Sequence, residues 1–288
     1  MKRREMLLTT GAAVLGLPML SLGQIVESHG RSKPKALYFT RSAGYEHPPV
    51  VRKGNEPSAS EKLLTEWGRD AGFDVVCSKD GAVFDGDLDQ FDCFIFYTSG
   101  DLTGKCDSPQ PGKAMSAEGK KELLAAIHSG KGFVGIHSAT DTFHGEGVDP
   151  FIAMLGGEFI THGDQQKASM KVAAPKFPGM EGLGDSFTIH DEWYAQYKFP
   201  KDLHVILVQD TEGMKGKMYQ RPSYPATWAR MHGKGRVFYT SMGHGRIWLN
   251  PTFRQVLLGG IAWALGYAEA DVKPNIEQVT PGANQAEK

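Results

Sequence analysis

Cysteine is scarce in this 288-residue chain, which holds only Cys77, Cys93 and Cys106. An odd count at unrelated spacings supports neither a disulfide framework nor a cysteine-built zinc site. Cys77 and Cys93 lie in apolar runs and read as core residues. Net charge is equally scarce, since 32 basic and 33 acidic residues leave a formal -1. No overall field draws such a chain to nucleic acid or to an anionic membrane. A small, near-neutral partner fits better. Nucleotide and nucleophile signatures are missing too. Neither G-x-G-x-x-G nor G-x-x-x-x-G-K-[ST] stands at a strand exit, which argues against a nucleotide cofactor. There is no G-x-S-x-G elbow and no H-E-x-x-H pair. Internal repeats and low-complexity blocks are absent as well.

What is present begins with MKRREMLLTTGAAVLGLPMLSLG, a basic start with Arg3 and Arg4 adjacent, followed by an apolar run from Met6 to Leu22. Gly11, Gly16 and Pro18 interrupt the run, so residues 1–23 read as an export signal of the twin-arginine type rather than a stable membrane span. A Sec signal or a plain anchor is the alternative, because no clean Ala-x-Ala site follows. The expectation is an exported, periplasmic or otherwise extracytoplasmic protein with no membrane contact once the signal is removed. Residues 24–34 read as a linker, 35–267 as one α/β domain, and the polar 268–288 as a loose tail. Oligomeric state is left open, and a homo-oligomer is compatible with all of this.

Within the domain, KALYFTR, FDVVCS, FDCFIFYTSG and GFVGIHS read as strands. A helix from Ser60 to Ala71, capped at Ser58 or Ser60, and another opened by Ser116 and closed by Gly130 separate them. This alternation implies right-handed βαβ crossovers and a flavodoxin-like, doubly wound, mostly parallel sheet sandwiched by helices. From Gly156 onward the texture changes to extra β-strands: EFITH, SMKVAA, SFTIHDEWYAQYKF, LHVILVQD, YPATWARMH and GRVFYTS. NPTFRQVLLGGIAWALG, with Pro251 just inside its start, closes the domain as a helix.

Ligands of doubly wound sheets bind beyond the carboxyl ends of the strands. His47, His137 and His244 all stand at such ends, in GYEHPPV, GIHSATD and TSMGHGRIW. Converging imidazoles suit a divalent metal ion, zinc above all, with His162 of EFITH as a further ligand and a carboxylate from Asp191 or Glu192. Glu192 and Tyr194, two apart, share one strand face and suit a general base and a phenolic donor; Asp141 is a further acid or base, or else a helix cap. Ser138 could be a nucleophile, but it points away from its chain neighbour His137 at a sharp turn. Tyr45, Asp191 and Trp248 flank these clusters and are expected to hold substrate, since aromatic faces beside carboxylates commonly hold sugar rings.

Several stretches resemble the trehalose-utilisation, or ThuA-like, family: GYEH, GKGFVGIHSATDTF, LGGEFITHG, HDEWY, PATWARMHGKGRVFYTSMGHG and GGIAWALG, in family order from Lys35 to Gly266. The resemblance implies a fold similar to the class I glutamine amidotransferases. Where those enzymes carry a nucleophilic Cys after a strand, this chain has His137 and Ser138, and the later His position looks like His244. Thiol-based glutamine hydrolysis is therefore excluded. The resemblance also implies carbohydrate catabolism. The function expected is a metal-assisted lyase or hydrolase acting on a disaccharide or its 3-keto derivative. A non-catalytic sugar-binding module and a metal-dependent amide or ester hydrolase are the alternatives.

Overall fold

The computed structural model describes residues 33–285. The export-signal segment and all but two residues of the linker lie outside the described residues. Eleven strands and five helices follow in this order: β1 Lys35–Phe39, α1 Ala59–Ala71, β2 Asp74–Ser78, β3 Cys93–Phe96, α2 Ala117–Ser129, β4 Gly132–Ile136, α3 Pro150–Leu155, β5 Glu158–His162, β6 Gln166–Val172, β7 Ser186–Asp191, β8 Tyr194–Tyr197, β9 His204–Asp210, β10 Tyr224–His232, β11 Gly235–Thr240, α4 Pro251–Ala264 and α5 Ile276–Val279. None of these helices is long and apolar enough to cross a membrane.

Nine strands form one sheet in the order β2-β1-β3-β4-β11-β10-β9-β6-β7. The first five are parallel, as the βαβ spacing requires, and the last four run antiparallel. β3 and β4 are buried along their whole length, which is why they read as unbroken apolar runs rather than alternating ones. On one face Leu64 and Trp67 of α1 and Val256, Leu257 and Ile261 of α4 cover Tyr38, Ile95 and Val134. On the other, Leu123 and Ile127 of α2 and Phe151 and Leu155 of α3 cover Phe39, Phe96 and Phe133. The architecture is the flavodoxin-like sandwich with added strands.

Helix starts follow their caps. Ser58 and Glu61 form a reciprocal capping box at α1, and Asn250 caps α4 with Pro251 at its first position. Two sequence readings need correction. SFTIHDEWYAQYKF is not one strand: β7 ends at Asp191, and β8 leaves the large sheet to pair with β5 in a separate two-stranded sheet. The chain changes sheets at Glu192 and Trp193, a break that period-two alternation does not mark.

The second correction concerns the tail. Asn275 exchanges hydrogen bonds with the backbone of Val205 at 2.6 and 3.0 Å, and Asn284 does the same with Phe199 at 3.0 and 2.9 Å. Ile276 and Ala283 are buried. These amides imitate strand pairing, so a polar segment is held without a long apolar run. Deleting residues 273–288 is expected to cost about 3 kcal/mol, at about 1 kcal/mol for each of the two asparagine–backbone pairs and for the Asn275 amide that donates to the Leu203 carbonyl. A thermal melt should fall by about 6–12 °C; an unchanged midpoint would restore the loose-tail reading.

Candidate metal centre

His47, His137, Glu192 and His244 meet at the carboxyl ends of β1, β4, β7 and β11, with one ligand-capable atom from each within 4.8 Å of the others. His137 opens a 3-10 turn, His137–Asp141, directly after β4 and adopts φ 47°. That left-handed conformation costs a residue with a side chain about 1–2 kcal/mol. It survives because Nδ1 of His137 bonds the Ser241 carbonyl at 2.7 Å and the Tyr239 hydroxyl donates to the His137 carbonyl at 2.7 Å.

The Ser241 carbonyl can only accept, so Nδ1 carries the proton and Nε2 of His137 keeps its lone pair. Nε2 makes no hydrogen bond among the described residues and stands 3.4 Å from Oε2 of Glu192. Nδ1 of His244 is likewise without a hydrogen bond, 3.3 Å from the same oxygen, and Nε2 of His47 is 3.7 Å from it. A tetrahedral site with zinc-length bonds of about 2.0–2.1 Å has ligand-to-ligand edges of about 3.4 Å. Buried nitrogens facing a carboxylate oxygen at this spacing are what a cation would reconcile. The donor set of three imidazoles and one carboxylate suits zinc or a similar ion.

The local electrostatics agree. Burial pulls His47 down to about 4 and also lowers His137, so both are neutral near pH 7, the form in which imidazole binds metal. At His244 burial works downward too, but the Glu192 carboxylate outweighs it and raises the imidazole. Burial would raise Glu192; the three surrounding imidazoles outweigh it and hold the carboxyl far below the usual range.

Behind the cluster, Asp191 accepts from the amides of Gly243 at 2.8 Å and His244 at 3.1 Å, and burial pushes it up to about 7. The Gly243 carbonyl accepts from the Tyr97 hydroxyl at 3.0 Å and the Trp248 indole at 2.8 Å. A Cβ on Gly243 would lie 2.7 Å from that of His137, so only glycine lets the two loops approach this closely.

The sequence-identified residues therefore separate into groups. His47, His137, His244 and Glu192 form the cluster, which selects Glu192 over Asp191 as the candidate carboxylate ligand and takes it out of the role of free base. Tyr194 adjoins it, with its hydroxyl 3.0 Å from Nε2 of His47 and its ring 4.2 Å from that of His137. His162 stands on the open side; its Nδ1 donates to the Gly163 carbonyl at 3.0 Å and is 3.7 Å from the other Glu192 oxygen, Oε1. Asp141 lies on the rim, paired with His144 at 2.9 Å and pushed up to about 6 by burial. Tyr45 is exposed, edge-on to His47. Asp191 and Trp248 are buried behind the cluster, and Trp248 stacks on Tyr97 and Trp67 instead of facing a ligand. Ser138 is buried, and its hydroxyl makes no hydrogen bond among the described residues. Tyr97 escaped sequence reasoning, since its only signal was its place just after an apolar strand.

Fold and site together define a flavodoxin-like α/β protein with three histidines and a glutamate gathered at its strand ends. The chain belongs to the ThuA family, described as trehalose utilisation, whose model matches residues 35–264. That membership points to a carbohydrate-related function. Among solved structures the chain is similar to a protein from Parabacteroides merdae described as ThuA-like, at 18% identity and a TM-score of 0.61, over 84% of this chain and 93% of that one. It is also similar to a protein from Bacteroides uniformis with the same description, at 18% identity and a TM-score of 0.56, over 81% and 91% of the two chains. At such identities the likeness is one of fold. No curated protein matches the sequence.

Proposed function

We propose that this protein is a metal-assisted carbohydrate enzyme that breaks a glycosidic bond in a disaccharide or its 3-keto derivative. The observation that carries the reading is the buried cluster of His47, His137, Glu192 and His244, whose nitrogens face one carboxylate oxygen without hydrogen-bonding it. These four residues would hold the ion. When bound, a divalent ion supplies Lewis acidity that polarises a sugar carbonyl. The N-terminal 23 residues support an exported setting for this activity.

The chain's own groups provide the proton transfers. Asp141, raised to about 6, is ionised at neutral pH yet basic enough to take the proton from the carbon beside a 3-keto group. The electron pair left behind forms a ring C=C bond as the C1–O bond breaks. Burial keeps the Tyr194 phenol well above its ordinary 10, so it stays protonated and can give its proton to the departing oxygen.

The test uses the full purified chain. Elemental analysis should find about one divalent ion per chain, and turnover of a 3-keto-disaccharide should stop on chelation. Activity should rise with pH through about 6 as Asp141 loses its proton, and Asp141→Asn should remove that limb. A chain that is metal-free as purified and takes up neither zinc nor manganese overturns the proposal. Sugar binding without turnover would reduce the protein to a binding module.

A further inference from the structure

Three residues other than glycine adopt a left-handed φ among the described residues: His137 at 47°, Phe143 at 56° and Lys198 at 59°. Such positions persist only where the surroundings hold them, and they gather at functional sites. His137 is the elbow of the cluster. The other two fix the segment 144–148, all of which is exposed. Phe143 opens it: the amide donates to the Gly100 carbonyl at 3.1 Å, and the buried ring meets Phe151 edge-on with the Lys120 amine over its face. Lys198 grips the middle. Its amine donates to the carbonyls of Gly145 at 3.2 Å and Gly147 at 2.6 Å and to Oε1 of the buried Glu158 at 2.5 Å, so all three protons are used. No other hydrogen bond ties the backbone of 144–148 to the rest of the described residues.

The segment begins with His144, whose Nδ1 donates to the Asp141 carbonyl at 2.9 Å and stands 2.9 Å from Oδ1 of the same residue. No described group is bonded to the other carboxylate oxygen, Oδ2. The His144 ring lies edge-on to that of Phe159 at 6.5 Å, and Phe159 in turn lies 4.2 Å from the ring of Tyr194. His144 is thus set beside both proton-transfer groups, Asp141 directly and Tyr194 across one ring.

We infer that Lys198 is a positioning residue: it latches 144–148 so that His144 stays seated on Asp141 and holds the unbonded oxygen of that carboxyl toward the substrate. This rests on the proposed role of Asp141 as the base. Without the latch, a segment held by its ends and one exposed imidazole opens readily. Asp141 then loses the contact that fixes its rotamer. The charge contact goes with it, since burial raises the Asp141 carboxyl while the imidazoles of His144 and His162 hold it back. With His144 gone only His162 opposes burial, and the carboxyl moves higher still.

The experiment compares the full chain with Lys198→Met and with Lys198→Met/Glu158→Gln, the second so that no buried carboxylate is left without its cation. Thermal melts check folding, and metal content should be unchanged because Lys198 contributes no ligand. Deuterium uptake at the Phe143 amide should quicken at least about 10-fold in both variants, the size of losing hydrogen bonds to a charged group. With a 3-keto-disaccharide, kcat should fall at least about 10-fold with little change in KM, and Lys198→Arg should recover most of the rate. The rising limb of the pH profile should move above about 6. His144→Ala should show the same limb, and adding Lys198→Met to it should cost nothing more, because Lys198 acts through His144. Unchanged uptake, additive losses in that pair, or loss of metal overturns the inference. A wild-type chain that turns over no 3-keto-disaccharide overturns the reaction and this role together, whereas turnover that Lys198→Met leaves intact overturns the role alone.

Discussion

Replacing His137 by alanine is expected to leave a folded protein that no longer retains a divalent ion. The imidazole contributes the lone pair on Nε2, fixed by the Nδ1 bond to Ser241, and His162 is not placed to replace it: the ring nitrogen it turns toward Glu192 is Nδ1, which is bonded to the Gly163 carbonyl and lies beside the other carboxylate oxygen, Oε1. Affinity should fall by more than the roughly 10–100-fold that loss of an outer partner costs at such sites. Gly243→Ala makes the sharper companion. It keeps all four candidate ligands but puts a methyl group 2.7 Å from the Cβ of His137, so the elbow or the His244 loop must move. A reduction within that 10–100-fold range is expected there. Competition with a chromogenic chelator measures both variants, and circular dichroism checks the fold. Unchanged affinity in His137→Ala would remove the cluster from consideration as a metal site.

Arg52→Ala is expected to produce the largest loss of stability. Glu61 is fully buried, and Arg52 meets it through Nε at 3.0 and 2.9 Å and through a terminal nitrogen at 2.7 Å. The Ser58 amide and the Thr40 hydroxyl complete its shell. Removing the guanidinium strands a buried carboxylate, at about 3–5 kcal/mol. A melt should drop by about 6–20 °C. The pH dependence carries the same sign. Burial alone would raise the Glu61 carboxyl, but Arg52 outweighs it and the folded value lies below the ordinary one. The pair's stabilisation is present above the unfolded carboxyl range, near 4.3, and is lost as pH falls through the folded value. Without Arg52 burial prevails, and acid unfolding should begin at higher pH. An acid-unfolding midpoint that does not move would show that the pair adds nothing net.

The parallel half of the fold was legible because strands buried on both faces leave apolar runs, and because serine and asparagine caps mark where helices begin. The three histidines were legible for a topological reason: residues just past β1, β4 and β11 must lie at one edge of the sheet. The choice between Asp191 and Glu192 was not. It depends on where the chain leaves the large sheet for the small one, and no local pattern encodes that departure. Trp248 was misplaced because nearness along the chain to His244 says nothing about which side of a 3-10 turn a ring occupies. The tail was misread because two asparagines do the work of a strand, and composition cannot show an amide pairing with a distant backbone.

The cluster draws its members from residue 47 to residue 244, on strands that become neighbours only when β11 inserts beside β4. A nascent chain lacking its last third holds two imidazoles and a glutamate but not the sheet that brings them together. The binding energy of an ion held there would be available only to the completed fold, and occupancy would add to its stability by mass action. Metal uptake during refolding would then report the moment when the two halves of the sheet close, a long-range pairing of the kind that sets the pace of folding.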